Sequence, residues 1–160
     1  MNTPKKMGKT TMKKSDDAAA SFGKGITCSA SVFGAFAKDL GLDEKTARKI
    51  ACGFGGGISK TGNICGAVSG AIMVIGLKYG KEVPGDDGGA TEKTRALTRQ
   101  FIQEFTRKHG SVNCTDILGY NLSVPAEYDE AAKANLFKTT CPACVRDAAE
   151  ILERILKKGT

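Results

Sequence analysis

Apolar residues recur at helical spacing along most of this 160-residue chain, and no convincing run alternates as a half-buried strand would. The stretch after Asp43 is one example, with Ala47, Ile50, Ala51 and Phe54 at i, i+3, i+4 and i+7. This periodicity predicts an all-α fold. The length suits a compact, single-domain helical bundle.

Capping residues and glycines divide the chain into predicted helices. We expect helices at 15–22, 27–40, 43–54, 64–79, 91–108, 127–137 and 142–158, with a short segment at 113–119. Thr27, Asp43, Asn63 and Asn113 are the predicted caps. Pro142 suits the first turn of the last helix.

Residues 64–77 form the longest apolar run without a charge. As a helix this run would span roughly 21 Å, less than the ~30 Å hydrocarbon core of a bilayer. We therefore predict a buried central helix and no membrane insertion. Gly66 and Gly70 lie four residues apart, as do Ala67 and Ala71. This small-residue face should pack closely, either inside the monomer or across a homodimer.

Positive charge is concentrated at the start of the chain. Residues 1–14 hold five lysines and no acidic residue, and the remainder has 19 basic against 17 acidic groups. We interpret 1–14 as a disordered basic tail and 15–160 as the folded domain, with weak attraction to nucleic acid or membrane surfaces as the alternative. No basic stripe interleaved with aromatic residues follows, so specific nucleic-acid binding is not expected.

The segment that follows the N-terminal lysines indicates the cellular compartment. No apolar segment of a secretory signal comes after them. We therefore expect a cytoplasmic protein, in which thiols are kept reduced. The six cysteines are then expected to be reactive or metal-binding and not structural disulfides.

Four cysteines fall in or beside the first turn of a predicted helix: Cys28, Cys65, Cys114 and Cys141. Free N–H groups and the positive dipole end stabilise an anion there, so the thiol pKa values should be lowered. Thiolates bind metals and attack disulfides. For any one cysteine taken alone, the alternative is a small buried hydrophobe.

The two remaining cysteines, Cys52 and Cys144, differ in their sequence context. Cys52 lies between Ala51 and Gly53 in a predicted helix and fits a buried hydrophobe best. Cys144 completes Cys141-Pro-Ala-Cys144, a CxxC spacing used by redox pairs and metal sites. The other cysteines are too far apart to match a zinc ribbon.

A glycine run at 53–57 resembles a phosphate loop only superficially. Ser59 stands where the glycine before Lys60 belongs, Ile58 replaces the third glycine of GxGxxG, and a helix precedes the run. We expect no nucleotide here. The run should instead bring backbone amides to a cysteine or to cluster sulfur. The candidate cofactor-binding residues are Gly55, Gly56, Gly57 and Gly66.

His109 is the single histidine and ends a charged helix beside Gly110. We expect it to be solvated. One histidine without a CxxCH motif excludes covalently attached haem. A lone histidine also supports no Ser-His-Asp or Cys-His site.

Taken together, these residues resemble the redox-active protein family named for its C_GCAxxG_C_C cysteine pattern. The matching segments are, in order, Cys28-Ser-Ala-Ser-Val, Gly53-Phe-Gly-Gly-Gly-Ile, Cys65-Gly-Ala-Val-Ser-Gly70, Gly110-Ser-Val-Asn-Cys114 with Leu118-Gly119, and Cys141. The resemblance covers roughly residues 15–156.

The resemblance implies a helical redox domain with Cys28, Cys65, Cys114 and Cys141 as its signature cysteines. A related domain of split-Soret cytochromes is associated with iron–sulfur binding, so a cluster on these four residues is implied here too. Cys52 and Cys144 are then extras. Cys144 would allow a Cys141–Cys144 disulfide or an alternate ligand.

Three functions stay open on these grounds. The first is an iron–sulfur protein for electron transfer or redox sensing, with a redox protein or small electron carrier as partner. The second is a thiol–disulfide oxidoreductase without metal, with Cys141 and Cys144 as the leading pair. The third is a non-redox structural zinc site or a partner-docking module. Whether the protein is an enzyme stays open with them.

Overall fold

A computed structural model describes residues 12–159, and these residues fold as a helical bundle. No strand occurs among them, which confirms the all-α prediction. Two extended residues, Ile64 and Asn113, pair in an isolated antiparallel bridge.

The bundle is built from helices α1 to α8 and three short turns. The helices are α1 (Lys14–Gly23), α2 (Cys28–Ala37), α3 (Glu44–Ala51), α4 (Gly66–Tyr79), α5 (Ala90–His109), α6 (Cys114–Leu118), α7 (Pro125–Lys133) and α8 (Leu136–Lys158). The turns are 3₁₀ turns at Lys38–Leu40 and Cys52–Phe54 and a left-handed glycine turn at Gly55–Ile58.

Helices α2 and α4 form the central pair, and both bury most of their residues. Gly70 brings their backbones together, because a Cβ there would lie 2.5 Å from the carbonyl oxygen of Ser29. The buried Ala67 and Ala71 continue this face. The predicted small-residue face therefore packs inside the monomer, against α2.

The outer helices cover this pair. Helix α5 contributes Phe101 and Phe105, which are fully buried and stack with their ring centroids 5.9 Å apart. Helix α8 buries Val145, Ile151 and Leu152 in the same core. Helix α1 lies along α8.

Helix α8 begins earlier than predicted. Asn135, with φ 64°, separates it from α7, and Pro142 lies inside the helix and not in its first turn. An interior proline costs about 3 kcal/mol. Packing of Leu136 and Phe137 in a second small core, with Leu118 and Leu122 at its centre, offsets this cost.

Three of the four predicted caps occupy N-cap positions, and among these three only Asp43 makes the side-chain hydrogen bond of a cap. Thr27 and Asn113 occupy N-cap positions, and the Asp43 carboxylate accepts from the Thr46 N–H at 2.9 Å. Asn63 does not cap α4, because its backbone is paired elsewhere. Its N–H donates to the Gly57 carbonyl at 3.0 Å, and Cys65 becomes the N-cap.

The end of the third predicted helix also differs. Its α-helical part stops at Ala51, and only Ala47 and Ala51 of the predicted face are buried. Ile50 and Phe54 are exposed. Helix α2 likewise ends at Ala37 and continues as a 3₁₀ turn.

Two further predictions concern the N-terminal tail and membrane insertion. Residues 1–11 of the predicted tail lie outside the described residues, and α1 begins at Lys14. The Lys14 ammonium lies 2.7 Å from the Asp39 carboxylate. Across residues 12–159 we find no helix with the length and apolar character needed to cross a bilayer.

Candidate functional site

Five cysteines from distant parts of the sequence line one cavity of about 460 Å³. They are the predicted metal ligands Cys28, Cys65, Cys114 and Cys141, joined by Cys144. The cavity lies between the two cores, since Cys65 and Cys144 belong to the main core and Cys114 belongs to the second. Cys52 is exposed and does not line it, so the buried position predicted for Cys52 is wrong.

Three of these cysteines sit at helix starts as predicted. Cys28 is the first residue of α2, Cys114 is the first residue of α6, and Cys65 is the N-cap of α4. Cys141 is different, because α8 begins at Leu136 and places it inside the helix. The prediction of a helix N-terminus is therefore wrong for Cys141.

A short backbone pairing holds two of the cysteines beside each other. The Cys65 N–H donates to the Val112 carbonyl at 2.8 Å, and the Cys114 N–H donates to the Asn63 carbonyl at 2.7 Å. These bonds flank the bridge between Ile64 and Asn113 and fix the start of α4 next to the start of α6.

The glycine turn forms another part of the cavity wall. Residues 56–60 have successive φ values of 68°, 66°, 62°, 51° and 65°, all left-handed. This backbone aims the N–H of Gly56 at the Cys28 sulfur, with which it hydrogen bonds. The prediction that the turn brings an amide to a cysteine is confirmed.

The other candidate glycines leave room for the cysteine side chains beside the cavity. Gly55, Gly56 and Gly66 line the cavity, and a Cβ on Gly66 would lie 2.2 Å from the Cys28 sulfur. Gly57 lies behind the wall, where a Cβ would be 2.6 Å from the Cβ of Cys114. Any larger residue at Gly66 or Gly57 would displace a signature cysteine.

The remaining lining is mostly apolar and includes Phe22, Ile117 and Phe137. Lys60 also lines the cavity, and its ammonium lies 4.1 Å from the centroid of the Tyr128 ring. The thiols therefore face a mostly apolar surface.

Burial controls the protonation of three signature cysteines. It raises the pKa of Cys28, and repulsion from Cys65 raises it further. Burial, followed by repulsion from neighbouring thiolates, raises the pKa of Cys114 and of Cys141 to about 12. The prediction of a lowered pKa is wrong for these three, because lost hydration outweighs the effect of a helix end.

Cys65 is the signature cysteine whose thiolate is favoured. A hydrogen bond from the Cys144 thiol lowers the pKa of Cys65, and the N–H groups of Ala67 and Val68 lower it further against the effect of burial. The two N–H donors are the free amides of the first helical turn, as predicted for a cysteine at this position. The pKa of Cys144 is raised by the same hydrogen bond and by burial.

A histidine that was not predicted to lie here contacts one cysteine of this site. His109 Nδ1 lies 3.6 Å from the Cys144 sulfur, and His109 Nε2 lies 3.0 Å from an Asp147 carboxylate oxygen. The imidazole packs on Phe105, with centroids 4.5 Å apart, and its side chain is 11% exposed. The prediction of a solvated histidine is wrong, because the end of α5 lies against α8.

The spacing of the thiols bears on the kind of metal group that fits. Across residues 12–159, no three His, Cys, Asp or Glu side chains gather closely enough to hold one metal ion. Four cysteine sulfurs nonetheless face one cavity, with an amide directed at one of them and glycines that make room. Four cysteine thiolates are the donor set by which iron–sulfur clusters are held in proteins.

Comparison with protein families matches residues 26–155 to the family described as "Putative redox-active protein (C_GCAxxG_C_C)". This segment includes every cysteine and glycine of the site. Neither the curated proteins nor the solved structures contain a match.

Proposed function

Since this chain belongs to the C_GCAxxG_C_C family of redox-active proteins, we propose that it binds an iron–sulfur cluster through its four signature cysteines and serves in electron transfer or redox sensing. The observation that carries the proposal is the meeting of Cys28, Cys65, Cys114 and Cys141 at one cavity. These residues come from four separate segments, and hydrophobic packing alone does not require them to meet.

The chemistry of the donors supports a cluster. Two-iron and four-iron clusters are both held by four cysteine thiolates, and such a cluster, when bound, supplies one-electron chemistry. In our proposal Cys65 is the first thiolate available, because its pKa is lowered. Cys28, Cys114 and Cys141 release their protons on binding, since metals bind the thiolate form.

The wall around the thiols suits redox tuning. The Gly56 N–H is aimed at the Cys28 sulfur, and hydrogen bonds to ligand sulfur are among the features that set the potential of a cluster. Apolar side chains such as Phe22 and Ile117 keep water away. We propose the reducing cytoplasm as the compartment and a redox protein or a small electron carrier as the partner.

The proposal is tested by assaying iron and acid-labile sulfide in protein purified without oxygen, with a visible spectrum of the same sample. We expect matching iron and sulfide and broad visible absorption. Replacing Cys28, Cys65, Cys114 or Cys141 with Ser should strongly reduce the content of iron and of sulfide. Cys52→Ser is the matched control, because Cys52 is exposed and lies outside the cavity.

Colourless protein from iron-replete cells, without iron or sulfide after reconstitution, would overturn the proposal. Equal iron loss in the Cys52→Ser variant would also contradict it, since the cavity would then not be the binding site.

A further inference from the structure

Three exposed apolar side chains lie on the segment that forms the outer wall of the cysteine cavity. Ile50, Phe54 and Ile58 are 54%, 37% and 40% exposed, and they are three of the seven large apolar side chains exposed among residues 12–159. Contiguous apolar surface on a protein commonly marks an interaction site. We call these three residues the apolar patch.

The backbone holds the apolar patch together. The right-handed helical backbone of α3 continues through the 3₁₀ turn to Phe54, so Ile50 and Phe54 stand about one turn apart. The chain then folds back, because the Ser59 hydroxyl donates to the Gly53 carbonyl at 2.8 Å. This bond brings the residue after Ile58 to the residue before Phe54, and the three side chains share one small surface.

The apolar patch is separated from the signature cysteines by a single layer of backbone. A Cβ on Gly66 would lie 2.2 Å from the Cys28 sulfur and 3.0 Å from the Phe54 carbonyl oxygen, so that sulfur and the Phe54 backbone meet at one glycine. A Cβ on Gly57 would lie 2.6 Å from the Cβ of Cys114. Because electron transfer slows steeply with distance, a partner on the apolar patch is well placed to exchange electrons with a group held by these cysteines.

Basic residues flank the apolar patch. Residues 45–60 include four basic residues and no acidic one. Arg48 is paired with Glu44 across one turn of α3. Lys49 and Lys60, in contrast, form no ion pair within the part of the chain that the structure describes. The surface therefore combines apolar side chains with positive charge that no acidic side chain compensates.

We propose that the apolar patch, with Lys49 and Lys60 at its edges, docks a small electron-carrier protein whose surface is rich in carboxylates. The carrier's role as an electron partner rests on the proposed cluster. One electron passes between the carrier's own centre and the cluster, so one is oxidised as the other is reduced, and no covalent bond forms or breaks. Weak electron-transfer complexes bury less than about 1,200 Å², which suits a patch of three apolar side chains.

A second copy of this chain fits the apolar patch less well than an acidic carrier does. Dimers most often have two-fold symmetry, in which a surface meets the same surface of the other copy. Lys49 and Lys60 would then be brought towards the same lysines of the second copy, and like charges in contact oppose association. Carboxylates on a carrier would instead steer the encounter and fix its orientation.

Carbodiimide crosslinking tests where the carrier docks. The probe is oxidised flavodoxin, an acidic carrier protein that holds FMN, and the reagent joins lysine amines directly to carboxylates in contact with them. The full-length protein is mixed with the probe at low ionic strength, and the linked peptides are mapped by mass spectrometry. We expect links at Lys49 and Lys60. Links confined to the lysines of residues 1–14, or to another face, would overturn the proposal.

Charge reversal measures what the lysines contribute. Lys49→Glu/Lys60→Glu should slow association with flavodoxin on the order of tenfold at low ionic strength, since electrostatic steering supplies about 10–10³ in on-rate. The matched control is Lys81→Glu/Lys158→Glu, at the other end of α4 and roughly 20 Å away, beyond the Debye length of ~10 Å at 0.1 M salt. Surface plasmon resonance measures both rates, and equal slowing by the two double variants contradicts the docking site.

Phe54→Ala tests the apolar part of the surface. Loss of an aromatic side chain at the centre of an interface should weaken flavodoxin binding on the order of tenfold, as measured by calorimetry. Val83→Ala is the control, because Val83 is 61% exposed and lies beyond the far end of α4. Circular dichroism checks that each variant is folded. Unchanged affinity in a folded Phe54→Ala variant would remove the apolar patch from the interface.

Other occupants of the apolar patch give different results. A dimer of the protein alone that Phe54→Ala dissociates would overturn the proposal, as would sedimentation with phosphatidylserine vesicles that the same variant abolishes. Crosslinking and affinity do not require iron, so absence of a cluster leaves both unchanged. A wrong docking surface leaves the iron content intact, and failure of the cluster proposal is therefore distinguishable from failure of this one.

Discussion

Positions 56–60 adopt left-handed backbone conformations in succession, although Ile58, Ser59 and Lys60 carry side chains. A left-handed helical residue costs roughly 1–2 kcal/mol for an L-amino acid, and such residues usually occur singly. Local bonds help to hold the segment, with the Ser59 hydroxyl donating to the Gly53 carbonyl at 2.8 Å. Strain of this kind concentrates at functional sites, and here it aims the Gly56 amide at Cys28.

Replacing Ile58 with glycine should relieve part of this strain. Ile58 has φ 62° and is 40% exposed, so Ile58→Gly should raise the free energy of unfolding by up to about 1 kcal/mol. Ile50→Gly is the matched control, because Ile50 is 54% exposed and lies in α3. Its replacement should lower stability by roughly 0.5–1 kcal/mol. Urea unfolding measures both, and equal destabilisation by the two substitutions would contradict the strain argument.

At the scale of elements, the site depends on how closely α4 approaches α2. Cys28 begins α2 and Cys65 caps α4, so the distance between these helices sets the distance between two signature thiols. Gly70 lies one turn further along α4, against the Ser29 carbonyl. The same close contact that fills the core therefore positions the cavity.

Gly70→Ala should separate these helices. Its Cβ would lie 2.5 Å from a backbone oxygen that cannot rotate away, so we expect a loss of about 1–3 kcal/mol in stability. Gly76→Ala, on the same helix with no neighbouring atom within 4 Å, should instead gain roughly 0.5–1 kcal/mol. Thermal and urea unfolding measure the pair, and a neutral Gly70→Ala would show that the backbone contact is not tight.

At the scale of the whole molecule, several ionisable thiols are buried between two cores. In the folded protein the pKa of Cys114 and of Cys141 is about 12, whereas the ordinary value is 9.0. The unfolded chain therefore loses these protons at lower pH than the folded chain does. Their contribution to stability is present below about pH 9 and is lost as the pH rises from about 9 towards about 12.

The cluster-free protein should accordingly become less stable in mildly alkaline buffer. We expect the urea midpoint to fall between about pH 8 and about pH 10, and to fall less in Cys114→Ala, which lacks one buried thiol. Cys52→Ser should behave as wild type, because Cys52 is exposed and outside the cavity. If the urea midpoint of Cys114→Ala fell with pH as much as that of wild type, the loss of stability would come from other groups, such as lysines.

Much of the fold was predictable because it follows from local chemistry. Apolar spacing, caps such as Asp43 and the glycine at position 110 act over a few residues, so they indicate helices without knowledge of the partner. The positions of Cys28 and Cys114 at the starts of helices were predictable for the same reason. Pro142 misled the prediction because its local preference for a first turn was outweighed by packing of distant residues such as Leu118.

The sequence by itself determined the helical class, the four signature cysteines and the glycine turn that carries an amide to one of them. Only the tertiary structure decided that Cys144 faces Cys65 and that His109 is buried against α8, because contacts between α4, α5 and α8 join residues far apart in the chain. It also decided the thiol pKa values. Helix position acts locally, whereas burial depends on every neighbour, and at Cys28, Cys114 and Cys141 burial is the larger effect.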